Sequence, residues 1–224
     1  MKRLLYGMVI FSVILVLGGC FDVAQHVTKN SSGEIVSFVR FTFDKSLFSI
    51  TEQMSGEPVD YSTMLTDADL TENDFLGSLP AGIHAVYEAV DTSARYGFNL
   101  RMQMTERQAR APFRSVAAIS PDDALLNSTF FPFLLDGGVV IPFEGIADAD
   151  DESEPFLSSA LYTVSIGKPL MRTIRAVHVT VPGTPISAAN RIDVPITDYE
   201  DYNLIEIPLS EFMGEGTRLV VVVP

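Results

Sequence analysis

From Arg95 to Thr105 polar and apolar residues alternate without a break. Tyr96, Phe98, Leu100, Met102 and Met104 interleave with Arg95, Gly97, Asn99, Arg101 and Gln103. A period of two puts every second side chain on the same face of an extended strand, so this segment needs a core on one side and water on the other. The chain must therefore build a sheet. Ile83 to Val90 precedes it across Asp91-Thr92-Ser93, which predicts an antiparallel hairpin. A second hairpin is predicted upstream, where the turn cluster Lys29-Asn30-Ser31-Ser32-Gly33 separates Val23 to Thr28 from Ile35 to Phe43. In that second strand Ile35, Val39, Phe41 and Phe43 share one face, and Val36, Phe38, Arg40 and Thr42 the other. Both faces are partly apolar, so the strand is expected inside a sheet.

Helices are signalled between these strands. Asp44 can cap a helix with a stripe of Leu47, Phe48, Ile50 and Met54, ended by Gly56 and Pro58. Thr71 can cap a second, with acids in its first turn and Leu70 stapled onto Phe75. Ser120-Pro121-Asp122-Asp123 resembles a third helix start, predicted to run through Leu125 and Leu126 and to break near Pro132. Residues 147–155, Ala-Asp-Ala-Asp-Asp-Glu-Ser-Glu-Pro, read as an exposed acidic loop or linker. Beyond it the pattern is nearly all strand, at Ala160 to Ile166, Ile174 to Val181, Leu204 to Leu209 and Leu219 to Val223, with a helical turn at Ser210 to Met213. The expected fold is α+β: an antiparallel sheet with two or three helices over residues 20–146, the linker 147–155, and a β-rich, sandwich-like part over 156–224. Two domains or one extended sheet would both satisfy this pattern.

The N-terminus gives an address. Met1-Lys2-Arg3 is positive, Leu4 to Leu17 is uncharged, and Leu17-Gly18-Gly19-Cys20 closes the segment. Its 14 residues are too short to cross a hydrocarbon core of about 30 Å as a helix, and fit a signal-peptide core. Leu17-Gly18-Gly19-Cys20 resembles the bacterial lipobox, whose cysteine sulfur becomes thioether-linked to diacylglycerol before cleavage. The resemblance implies removal of residues 1–19, a lipid-bearing Cys20 as the membrane anchor, palmitate-type acyl chains and an ectodomain in the bacterial cell envelope. Asp22 resembles the inner-membrane retention signal of enteric bacteria; the choice between inner and outer membrane is left open.

Composition then excludes several classes. Cys20 is the chain's only cysteine, so an intramolecular disulfide framework and a cysteine zinc cluster are both excluded. The formal charge of -14 argues against a nucleic-acid partner, because phosphate binding needs clustered Lys and Arg. Loss of Lys2 and Arg3 with the signal takes it to -16. A hydrophobic fraction of 47% is too high for a disordered acidic chain.

Motifs for catalysis are few. There is no Gly-x-Ser-x-Gly nucleophile elbow, and His26, His84 and His178 are far apart, without the spacing that puts two metal ligands on one helix face. No catalytic residue, cofactor or metal is therefore predicted. The runs Asp67, Asp69, Thr71, Asn73 and Asp148, Asp150, Glu152, Glu154 alternate oxygen ligands but lack the Gly and terminal Glu of a calcium loop. The marked charge anomaly is basic: Arg95, Arg101, Arg107, Arg110 and Arg114 stand against Glu106 alone. Arginine's planar fork suits phosphate and carboxylate, so this strip is a candidate contact for an anion or headgroup; pairing with the protein's own acids is the other reading. Phe130, Phe131, Phe133, Leu134 and Leu135 around Pro132 are a candidate apolar ligand or partner patch, with core packing the alternative.

Three functions follow. The first is a non-catalytic structural or interaction ectodomain on an envelope lipoprotein, with the membrane and another envelope component as partners. The second is a lipid or amphiphile binder using the aromatic cluster and the arginine strip. The lipobox followed by Asn30-Ser31-Ser32-Gly33-Glu34-Ile35, a strand and Asp44-Lys45-Ser46-Leu47 resembles the mycobacterial LppM-type lipoproteins over about the first 30 mature residues. That resemblance implies a lipid-binding ectodomain, although the C-terminal membrane helix of those proteins has no counterpart here. The third is a hydrolase without a recognisable motif.

Overall fold

The computed structural model describes residues 21–46, 60–67, 70–146 and 154–224. The signal segment with Cys20, the stripe from Leu47 to Met54, Asp69 and residues 147–153 lie outside the described residues.

Both expected hairpins form. β1 (Phe21–Lys29) pairs antiparallel with β2 (Ile35–Asp44) around a turn closed by Asn30, whose side-chain oxygen accepts from the Ser32 and Glu34 N–H groups. Asp44 ends β2 and accepts from the Ser46 N–H at 2.9 Å, as a helix cap would. Two short helices follow, α1 (Tyr61–Asp67) and α2 (Glu72–Ser78). Thr71 caps α2 in a reciprocal box with Asp74; Phe75 is buried, and Leu70 packs against the same core. β3 (His84–Asp91) and β4 (Arg95–Met104) make the second hairpin, with the alternation of β4 realised: Phe98, Leu100, Met102 and Met104 are buried and Arg101 is exposed. Helix α3 (Glu106–Ala109) is a single turn set by Thr105 and Gln108.

The third predicted helix is a correction. Pro121 and Asp122 form a turn, and only Ala124–Asn127 coils, as a 3-10 turn. Tertiary demands end it: the Ser128 hydroxyl donates to the Ser78 carbonyl, and Phe130 adopts a left-handed backbone with φ 66°, which no helix can continue through. Then come β5 (Phe133–Leu135), β6 (Gly138–Phe143) and helix α4 (Glu154–Ser159), so Glu154 and Pro155 belong to a helix and not to the acidic loop. The remaining elements are strands: β7 (Leu161–Gly167), β8 (Ala176–Thr180), β9 (Arg191–Ile192), β10 (Ile196–Asp198), β11 (Tyr202–Pro208) and β12 (Arg218–Val223). The turn expected at Ser210 to Met213 is a 3-10 turn at Leu209–Phe212.

The fold is α+β and sheet-rich, with a β-rich C-terminal part. One sheet has the order β10-β11-β7-β1-β2-β4-β3, the other β5-β6-β12-β8-β9. Among the described strands every ladder is antiparallel except that of β1 with β7. Strands from both sides of residues 147–155 stand in both sheets, and their buried residues form one cluster. The acidic run therefore does not coincide with a sheet boundary. Among the described residues no helix is long and apolar enough to cross a membrane.

The two sheets meet through rings. Tyr162 of β7 is fully buried, with Phe143 of β6 at 5.2 Å, Phe212 at 5.9 Å and Phe130 at 6.1 Å between centroids. Its hydroxyl donates to Gln25 Oε1, and Gln25 Nε2 donates to Ser37 Oγ (2.9 Å) and the Phe130 carbonyl (2.8 Å). A buried amide at the centre of an apolar sheet is tolerated because these bonds use both its ends. The same network holds Phe130 in its uncommon backbone conformation. Burial pushes the Tyr162 phenol well above its usual range, so it stays a donor.

Candidate functional site

The residues singled out by sequence separate into three places. Phe130, Phe131 and Phe133 are core residues, at most 6% exposed, and make no surface patch. The physical reason is that Phe130 and Phe131 plug the space between the sheets, with Phe131 and Phe133 in ring contact at 4.7 Å. Leu134 and Leu135 are only partly buried and reach the surface. Of the arginine strip, Arg110 lines the cleft described next, and Arg114 is exposed beyond it in the chain. Arg95 begins β4 and Arg101 lies on its solvent face, whereas Arg107 and Arg110 lie on or beside α3, past the other end. At about 3.4 Å per residue, β4 sets Arg95 about 30 Å from its α3 end, whereas Arg101 stands only about 10 Å from that end.

Arg110 and the two leucines do come together. A cleft of about 440 Å³ is bounded by Arg110, Lys29 and Glu106 on one side and by Phe113, Leu134 and Leu170 on the other. Local structure explains each wall. The Thr105 box sets α3 at the end of β4; Gln108 ties it to the Gly82 carbonyl at 2.8 Å, and buried Ala109 fixes its inner side. Ala111 N–H donates to the Leu134 carbonyl (2.9 Å), bringing β5 alongside. Glu106 accepts from Lys29 Nζ at 2.9 Å and lies 3.4 Å from the Arg110 guanidinium. The hydrogen bond and charge of Lys29, followed by Arg110, hold the Glu106 carboxyl below the usual carboxylate range. A second cleft of about 390 Å³, lined by Val116, Ile186 and the end of β12, shares Leu135, Asp136 and Gly138 with the first. The tight turn Asp136-Gly137, with φ 50° and 80°, stands between the two.

Chemically, the first cleft offers an apolar wall and a rim whose two cations, Lys29 and Arg110, both pair with Glu106. An incoming anion can bind there by taking the place of Glu106 on Lys29 and Arg110. In the sequence Lys29 stands out only as a turn residue and Glu106 only as the acid within the arginine strip, neither as a cleft residue. Nothing local could have marked them, since their contact spans residues of β1 and α3.

The histidines occupy separate sites. His178 is buried in β8 with Nδ1 3.1 Å from Asn190 Oδ1. His84 is exposed at the start of β3. His26 sits on the solvent face of β1, with Nδ1 2.7 Å from Ser165 Oγ and its ring edge-on to Tyr202 at 6.3 Å. Burial lowers its pKa, which favours the neutral imidazole. This pair has nucleophile-to-base spacing, but it lines neither of these two clefts. Among the described residues no three His, Cys, Asp or Glu side chains converge on a point that could hold a metal ion. No protein-family model matches the chain, and comparison with curated proteins and with solved structures returns no match.

Proposed function

We propose that this is a lipid-anchored bacterial envelope lipoprotein whose ectodomain works by binding and not by catalysis. One observation carries the reading: the lipobox-like Leu17-Gly18-Gly19-Cys20 is followed, with no spacer, by β1, an interior strand of the larger sheet. A signal ending where the fold begins leaves Cys20 as the natural link between membrane and domain. Stable anchoring comes from two or more acyl chains, at about 0.8 kcal/mol per buried methylene. Metabolic labelling with radioactive palmitate should incorporate into the wild-type chain and be lost from Cys20→Ser. Equal incorporation into both would refute the anchor.

A second reading, amphiphile binding, is favoured by the cleft at Lys29, Arg110 and Leu134. Its volume falls in the range of small-ligand sites, and it combines apolar walls with a few polar groups. Native mass spectrometry of protein extracted from envelopes should then detect a bound amphiphile in wild type. Leu134→Asp should carry markedly less of it. A wild-type protein that carries nothing, or a variant that keeps the full load, ends this reading and leaves the anchor untouched.

A further inference from the structure

We infer that one pole of the seven-stranded sheet, the pole holding Phe21, Lys45, Tyr61 and Tyr96, rests in the phospholipid headgroup layer, and that the cleft at Lys29 and Arg110 is held at the opposite pole. The inference builds on the reading of Cys20 as the acylated residue.

The geometry starts at the junction. Phe21 is the first residue of β1 and the next residue in the chain after Cys20, so an anchor on Cys20 joins the sheet at the Phe21 end of its strands. Across the ladder Phe21 faces Phe43, and Phe43 faces Tyr96. Phe43 has Phe21, Tyr96 and Tyr61 as ring neighbours at 6.2, 5.6 and 6.0 Å. The Lys45 ammonium is 5.1 Å from the Tyr61 ring centre and 5.7 Å from that of Tyr96, and it pairs with Asp91 at 2.6 Å. Phe43 is buried, so the surface of this pole is made by the half-buried Phe21, Tyr61 and Tyr96 with Lys45 beside them; tyrosines with an adjacent lysine suit a headgroup boundary, where rings contact acyl carbon and polar tips stay hydrated. The charges of this pole are mixed, with Asp22, Asp44 and Asp91 beside Arg40, Lys45 and Arg95. Contact is therefore driven by the anchor and the rings, not by anionic lipid.

β1 sets the height of the other pole. From Phe21 to Lys29, at about 3.4 Å per residue, it spans about 27 Å. β4 and β7 run in the same direction, so α3, Lys168 and the cleft all lie at its far end. An amphiphile entering this cleft comes from the side facing away from the anchoring bilayer.

The test uses the full-length acylated protein reconstituted in phosphatidylcholine vesicles. A fluorophore is placed by Ser93→Cys at the anchored pole and by Ser32→Cys at the far pole; both serines are exposed turn residues. Glu211→Cys and Glu200→Cys repeat the comparison on β11's two flanks. Phosphatidylcholine bearing a headgroup nitroxide should quench the labels at 93 and 211 severalfold more than those at 32 and 200, and high salt should leave the difference in place. Equal or reversed quenching overturns the docking while leaving the anchor intact. Vesicle flotation supplies the separate control: loss of flotation in Cys20→Ser supports the anchor, and unchanged flotation overturns the anchor and leaves the docking to be decided by the quenching pattern.

Discussion

Tyr162→Ala should remove about 3–5 kcal/mol of stability, a large share of what a domain of this kind possesses. Its ring joins the sheets through Phe143, Phe212 and Phe130, so truncation opens a cavity that residues from both sheets must collapse into. The hydroxyl adds a second cost, because Gln25 Oε1 would lose its buried donor. Tyr162→Phe separates the two effects: it keeps the ring and should cost about 1–3 kcal/mol for the unsatisfied amide. The chain has no tryptophan, so urea unfolding followed by far-UV circular dichroism of the sheet is the suitable readout. Equal losses in the two variants would mean that the hydrogen bond, and not the ring, holds the sheets together.

Gly97→Ala should be as damaging with a single added methyl. Gly97 lies in β4 with φ 148°, paired to Thr42 on one side and Val90 on the other. A Cβ there would stand 2.0 Å from the Phe41 carbonyl oxygen and 2.8 Å from the Thr42 Cα. Both are backbone atoms of the neighbouring strand, so no side chain can rotate away. Strain and overpacking together predict a loss of about 3 kcal/mol or more. The same denaturation experiment checks it. Gly77→Ala, at a helical position with nothing within 4 Å of the added carbon, should be close to neutral or stabilising. A Gly97→Ala protein as stable as wild type would show that β2 can shift away from β4.

Much of this fold is legible in the sequence because its strands are local hairpins. The alternation from Tyr96 to Met104 needs no partner to be read, and the Thr71 cap with its Asp74 partner is encoded within one turn. What sequence conceals is non-local. Nothing around Val23 or Tyr162 announces that β1 and β7 lie side by side, nor that Gln25 and Tyr162 share a proton donor and acceptor. Ser120-Pro121-Asp122-Asp123 has the start of a helix, but the Ser128 bond to Ser78 and the left-handed Phe130 end it within one turn. The aromatic run splits for the same reason. Phe130, Phe131 and Phe133 fill a gap between sheets that exists only after folding, while Leu134 and Leu135 are left at the cleft. The arginine strip is legible as charge, but not the length of β4 that sets Arg95 at one pole and Arg107 and Arg110 past the other.

The parallel pairing of β1 with β7 also orders the steps of folding. β1 lies early in the chain, yet Val23 must wait for Tyr162 before its second edge is covered. Until then the chain exposes an apolar strand, buried in the finished sheet, along a row of unpaired amides and carbonyls. Sheets closed by such distant partners form slowly and pass through states that readily associate with neighbours. A chain cut before Leu161 would keep that strand open, and its fate would depend on how soon a chaperone met it.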